Sequence, residues 1–110
     1  MVIFGGLDTV WVVVMFDLPV DTKQAVRRAS QFRKFLKRDG FMRMQYSVYI
    51  RHTPSRENAD VHEGRVRRHL PPDGEVRILR ITDKQFGKMK VYVGKRRKAT
   101  EQAPKQLDMF

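Results

Sequence analysis

The alternation of apolar and polar positions divides the chain into strand-like and helix-like segments. Thr9 to Phe16, TVWVVVMF, is apolar at nearly every position and rich in β-branched side chains. Such a run predicts a short strand with both faces covered. In Phe41 to Arg51, FMRMQYSVYIR, the residues Met42, Met44, Tyr46, Val48 and Ile50 alternate with Arg43, Gln45, Ser47 and Tyr49. A period of two predicts a second, long strand with one mainly apolar face. Glu75 to Thr82 (EVRILRIT) and Lys88 to Val93 (KMKVYV) predict a third and a fourth strand, joined by a loop over Asp83 to Gly87.

Two segments carry helical spacing instead. After the loop DLPVD, Asp21 is the expected N-cap and Gln24 the residue three further on, as in a capping box. The helix then runs to about Lys37, with Ala25, Ala29, Phe32 and Leu36 on one stripe and Val26 and Phe35 beside it. Gly40, after Asp39, supplies the positive φ of a helix stop. A second helix is expected from Thr53 as N-cap and Pro54 at the first helical position to about His69. Its stripe is thin, Ala59, Val66 and Leu70, and Pro71-Pro72 ends it.

The resulting order is βαβαββ. Two helices on one face of a mostly antiparallel sheet define an α+β class and point to the ferredoxin-like plan βαββαβ. That plan needs two strands between the helices, where the pattern shows one. The apolar first strand needs a cover on its second face, which a dimer packed sheet to sheet would supply. Residues 1–94 are expected to form this domain. Residues 95–110, opening on KRRK and ending QLDMF, are expected to be a tail.

Composition narrows the chemistry. A chain of 110 residues suits one domain. Without cysteine it has no disulfide, thiolate metal site or cysteine nucleophile. His52, His62 and His69 lack the spacing of a zinc motif and read as surface or partly buried polar residues. No apolar run approaches the roughly 20 residues that span a bilayer, and the opening MVIFGGLDTV lacks the pattern of a signal peptide. A cytoplasmic protein without membrane contact is therefore expected.

Charge changes the picture most. Lys and Arg total 23 against 12 Asp and Glu, a net charge of +11. Cations spread along the whole domain favour a polyanionic partner such as nucleic acid. The expected phosphate contacts are Arg27, Lys34 and Arg38 on the first helix, Arg77 and Arg80 on the third strand, and Lys95, Arg96 and Arg97 at the start of the tail. They would hold a phosphate backbone without reading sequence.

Asp17 is the one carboxylate whose position suits chemistry. It follows an apolar strand and precedes Leu18-Pro19, so it is rigidly held yet open. It reads either as a loop-capping strand-end residue or as a ligand for Mg²⁺, which keeps several of its waters. Asp21, Asp39 and Asp73 read as cap and turn residues. Ser47 lacks the glycine pattern of a nucleophile elbow.

Taken together, VVVMFDLP at 12–19, the basic helix, RMQYSVYI at 43–50 and HLPPDGEVRILRIT at 69–82 resemble the CRISPR-associated small endonuclease family numbered two in the Cas nomenclature. The resemblance covers about residues 10–94, and the strand-end Asp and QYSVY are its most specific parts. It implies a ferredoxin-like homodimer packed through its sheet faces, with Asp17 of each protomer at a shared catalytic, Mg²⁺-binding site. It also implies a dimer that binds prespacer double-stranded DNA and bridges integrase subunits in spacer acquisition. RNA is the alternative substrate, and a non-enzymatic scaffold the alternative role. A ferredoxin-like RNA-binding module that stacks bases on Tyr46 and Tyr49 is a further rival. In the tail, Gln106, Leu107, Met109 and Phe110 resemble a sliding-clamp-binding peptide. The favoured reading of the same residues is an anchor on the integrase subunit, with clamp binding and plain disorder as the alternatives.

Overall fold

A computed structural model describes residues 9–104. Its elements are β1 (Val10–Asp17), α1 (Lys23–Arg38), β2 (Met42–Gln45), β3 (Val48–Thr53), α2 (Arg56–Arg68), β4 (Glu75–Thr82), α3 (Asp83–Gly87), β5 (Val91–Val93) and β6 (Arg96–Lys98). The main sheet is antiparallel throughout, in the order β2-β3-β1-β4. This is the ferredoxin-like α+β plan, and β1 lies at its centre.

The long second strand is two. It folds back at Tyr46-Ser47 into the hairpin of β2 and β3, and a register shift between Arg43 and Gln45 absorbs the odd residue. The period-two pattern runs through this bend with no Gly, Asn or Pro to mark it, because a bulge needs no special residue there.

Both helix starts differ from expectation. Thr22, not Asp21, caps α1: its Oγ1 accepts from the Ala25 amide at 3.0 Å. This start puts Ala25, Ala29, Phe32, Phe35 and Leu36 in the core. Ser55, not Thr53, caps α2 by accepting from the Asn58 amide at 3.0 Å. Thr53 ends β3 opposite Val10, fully buried, and donates its hydroxyl to the Val10 carbonyl at 2.7 Å. Leu70, expected in the core, is 46% exposed. Gly40 does end α1 as expected: at φ 89° it allows the Gly40 amide to reach the Lys37 carbonyl and the Phe41 amide to reach that of Leu36.

The two faces of β1 bury different sets. Val10, Val12, Val14 and Phe16 pack under the helices with Phe32, Phe35, Leu36, Phe41, Tyr49, Ala59 and Val66. On the other face Trp11, Val13 and Ile50 pack with Phe86 of α3. The expected loop over Asp83–Gly87 is thus a helical turn, with a capping box between Thr82 and Gln85. Phe86 lies flat on Trp11 with ring centres 4.1 Å apart, and the indole donates to Asp83 at 2.8 Å. Met89 and Ala103 extend this cover. The chain therefore supplies part of the second cover itself. Beyond it, Met15 and Val48 are half-buried and Leu79 is 49% exposed.

The last expected strand is shorter and lies elsewhere. β5 and β6 pair around Gly94 as a separate two-stranded sheet. Arg96–Lys98, in the segment expected to open a tail, form the second arm of this hairpin, and Lys95 lies in its turn.

Candidate functional site

Asp17 is the last residue of β1, exposed, and pairs in register with Glu75 at the start of β4. Two contacts fix the backbone around it. The Phe16 amide donates to the Ser47 carbonyl at 3.0 Å, tying the tip of the β2–β3 hairpin to the end of β1. On the other side Gly74 packs against the same turn at φ 91°, where a Cβ would come within 2.7 Å of the Asp17 carbonyl oxygen. Only glycine tolerates both the dihedral and the approach.

Met15, Asp17, Ser47, Val48, Glu75 and Arg77 line a shallow depression of about 270 Å³ here. Its floor is apolar and its rim carries two carboxylates and one guanidinium. Arg77 holds Glu75 at 2.7 Å, whereas Asp17 forms no ion pair among the described residues. The available donors are hard carboxylate oxygens, which suit Mg²⁺. Yet no group of three or more such ligand side chains converges among the described residues. One chain thus offers part of a coordination sphere, with Asp17 as its free member.

The expected phosphate ligands divide into groups. Arg27, Lys34 and Arg38 are exposed on α1 and form no ion pair among the described residues. Lys34 and Arg38 border a groove of about 540 Å³ between α1 and the α2–β4 connection, with Phe32 and Phe35 below. His69 joins its wall, its ring stacked on Phe35 at 3.9 Å. Lys95, Arg96 and Arg97 are exposed on the β5–β6 hairpin. Of these cations Arg77 alone lines the depression at Asp17.

Arg80 departs from its expected role. In register with Val12 it faces the helices, where Asp60 at 2.7 Å and Glu63 at 3.0 Å bind its guanidinium. The hydrogen bond to Asp60, more than the one to Glu63, holds its pKa above the ordinary arginine value against the effect of burial. Its charge is spent inside the fold, on α2.

The histidines have structural partners. His62 is buried, and its Nδ1 donates to Asp39 at 2.8 Å. His52 meets the Trp11 ring edge-on at 5.1 Å, and burial lowers its pKa, against the pull of Asp83. Tyr49 is buried on the helix side against Phe16. Paired base-stacking by Tyr46 and Tyr49 on the open sheet face is therefore excluded. Gln106, Leu107, Met109 and Phe110 lie outside the described residues.

Sequence reasoning missed Gly74, Glu75 and Phe86 as supports of the site and of the open face. The first two follow Asp73 in a segment that reads as an ordinary turn, and only the β1–β4 register sets them beside Asp17.

A ferredoxin-like domain with an exposed carboxylate at the end of its central strand and a large cationic excess defines a class of basic α+β domains. Within that class, residues 10–89 match the family described as "CRISPR associated protein Cas2". The chain is 57% identical over 100 residues to the "CRISPR-associated endoribonuclease Cas2" of Parvibaculum lavamentivorans, covering 91% of this chain and 99% of that one. It is 46% identical to the protein of the same name from Flavobacterium psychrophilum, covering 93% and 89%. A solved structure titled "Crystal structure of cas2" superposes with a TM-score of 0.56 at 23% identity, over 87% of this chain and 98% of that one. This chain belongs to the CRISPR-associated Cas2 family. No helix among its described residues is long and apolar enough to cross a membrane.

Proposed function

We propose that the protein acts in the cytoplasm as a homodimer in CRISPR spacer acquisition, holding prespacer duplex DNA and bridging integrase subunits. We further propose that Asp17 of both protomers forms a shared site for metal-dependent cleavage of RNA or DNA. One observation carries this reading: on the sheet face away from the helices, half-buried Met15 and Val48 line the depression that holds Asp17, and Leu79, in register with Val13, stands exposed on the same face. A second copy packed on that face would bury its apolar side chains and bring a second Asp17 to the same place. That supplies the carboxylate one chain lacks. The relatives named as endoribonucleases support the cleavage half.

In such a site Mg²⁺ would offset charge on the scissile phosphate. The chain's own contribution is positional. Phe16–Ser47 pairing and Gly74 fix the Asp17 backbone, and the Arg77–Glu75 pair sets a cation on the rim for the incoming phosphodiester. The exposed cations Arg27, Lys34 and Arg38, with the β5–β6 arm, hold the flanking backbone.

Two variants test the reading together. Leu79→Lys places a charge on that face and is expected to give a monomer in sedimentation, with loss of cleavage. Asp17→Asn is expected to remain a dimer, bind duplex normally and lose metal-dependent cleavage. Full cleavage by Asp17→Asn refutes the catalytic half, and a dimeric Leu79→Lys protein refutes the interface. A wild-type protein that binds duplex but never cleaves is the scaffold reading.

A further inference from the structure

The groove between α1 and the α2–β4 connection has two unlike walls. Its volume is about 540 Å³, inside the range of roughly 300–1,000 Å³ typical of ligand sites. One wall is cationic. Lys34 and Arg38 stand exposed on it, and neither forms an ion pair among the described residues. At the other end of this wall Arg28 is held by Asp73 at 3.3 Å. The opposite wall is Leu70-Pro71-Pro72. Leu70 is 46% exposed, and the two prolines leave two successive positions without a backbone N–H. Such a wall offers a phosphate no donor. Below, Phe32 and Phe35 are 2% and 7% exposed, too little for a base to stack on. The His69 ring lies flat on Phe35 at 3.9 Å, and its Nδ1 donates to the Arg65 carbonyl at 2.8 Å, so the corner between floor and wall is pinned.

We propose that this groove docks an extended segment of a partner protein in which acidic and bulky apolar side chains alternate. The spacing of the cations sets that alternation. Lys34 and Arg38 are one helical step of four residues apart, about 6 Å along the axis. On an extended chain, side chains two apart repeat on one side at about 6.6 Å, and those between them point to the other side. Carboxylates at alternate positions thus meet Lys34 and Arg38, while the apolar side chains between them meet Leu70 and the prolines. The α1 residues that line the groove run from Arg28 to Arg38. That is about 15 Å of helix, room for about four or five extended residues. A phosphate backbone would satisfy the cationic wall alone and leave Leu70 in water. The groove lies on the helix side of the sheet, with Phe32 and Phe35 of the helix-side core below it, so it stays open in a dimer packed through the opposite face. The inference goes beyond the duplex-holding role and does not depend on it, though it engages two of the same cations.

The test titrates the full-length protein against labelled hexapeptides by fluorescence anisotropy: alternating Glu-Leu, the same residues in two blocks, alternating Glu-Ser, and alternating Lys-Leu. The alternating Glu-Leu peptide binds at least about tenfold more tightly than the other three. Leu70→Ser weakens it about tenfold and leaves the affinity for blunt duplex DNA unchanged. Reversing both charges, Lys34→Glu with Arg38→Glu, weakens the Glu-Leu peptide by more than about tenfold. The same double variant gains affinity for the alternating Lys-Leu peptide, a gain that misfolding does not produce. Equal binding of the alternating Glu-Leu peptide and its blocked or Glu-Ser counterpart reduces the groove to a patch of charge and overturns the proposal. Full peptide affinity in Leu70→Ser overturns it too, as does a charge-reversed protein that gains nothing for Lys-Leu. A Leu70→Ser protein that loses duplex and peptide affinity alike makes the groove a nucleic-acid surface, with the same result. A peptide affinity that rises on removal of residues 105–110 makes the chain's own tail the occupant and likewise refutes a partner protein. Wild-type protein that binds the Glu-Leu peptide with this Leu70 dependence but ignores duplex refutes the duplex-holding role and leaves the groove standing. Wild-type protein that binds neither refutes both.

Discussion

Asp39→Ala is expected to be the most damaging single substitution outside the apolar core. Asp39 stands at the C-cap of α1, its side chain 6% exposed. It accepts from His62 at 2.8 Å and from Arg65 at 2.8 Å, and it is the carboxylate that acts on the half-buried Arg51. Arg51 already carries a strain of its own: its Nε is buried without a hydrogen-bond partner, and burial pulls its pKa below the ordinary value despite the attraction of Asp39. Truncating Asp39 leaves the buried His62 without its acceptor and the half-buried Arg51 without its counter-charge. Breaking a buried pair from one side costs about 3–5 kcal/mol. The Arg65 half contributes little, because Arg65 is 48% exposed and such pairs give roughly 1 kcal/mol or less. We therefore take the low end, about 3 kcal/mol. At about 4–8 °C per kcal/mol for a domain of this size, the midpoint should fall by roughly 12–24 °C. Urea unfolding at neutral pH measures the free energy and scanning calorimetry the midpoint, with Arg65→Ala as the weak control. A loss below about 1 kcal/mol for Asp39→Ala, or an equal loss for Arg65→Ala, refutes the reasoning. The pH dependence has a definite sign. Burial raises the Asp39 pKa, but the hydrogen bonds from His62 and Arg65 outweigh it, so the folded value lies below the ordinary one. Its contribution is complete above the unfolded value near about 3.9 and is lost as pH falls through the folded value. Asp39→Asn should flatten that acid limb.

Two further outcomes follow from the site. Gly74→Ala forces a Cβ against the Asp17 carbonyl at a positive φ; it should cost about 1–3 kcal/mol and depress Asp17-dependent cleavage more than duplex binding, measured on the same preparation. Arg27→Ala should lower the slope of log affinity for duplex DNA against log salt by about one, while Arg80→Ala should leave that slope unchanged and lower the thermal midpoint; equal salt effects from both would refute the assignment of Arg80 to α2.

The strands and helices were readable because each buries a face, and burial leaves a period. β1 shows this twice over: Val10, Val12, Val14 and Phe16 answer to the helices, and Trp11 and Val13 to the opposite cover. What escaped was whatever depends on pairing rather than on period. The hairpin bend at Tyr46-Ser47 keeps the alternation of a straight strand, so no local residue announces it. Glu75 and Gly74 become site residues only through the β1–β4 register. Arg80 looks like any strand cation until that register turns it toward Asp60 and Glu63. The need for a cover on the second face was legible in β1; that the chain supplies part of it through Phe86 was not. A capped turn, Asp83–Gly87, places Phe86 on Trp11 and closes the end of the sheet far along β1 from Asp17. Beyond that cover Leu79, in register with Val13, is exposed, and half-buried Met15 and Val48 line the depression at Asp17. A copy packed on so short a strip would cross close to Asp17 rather than along the whole sheet. In the proposed dimer the two Asp17 carboxylates would meet where the cover by Phe86 stops, so lengthening that cover should loosen the dimer in sedimentation and lower cleavage together.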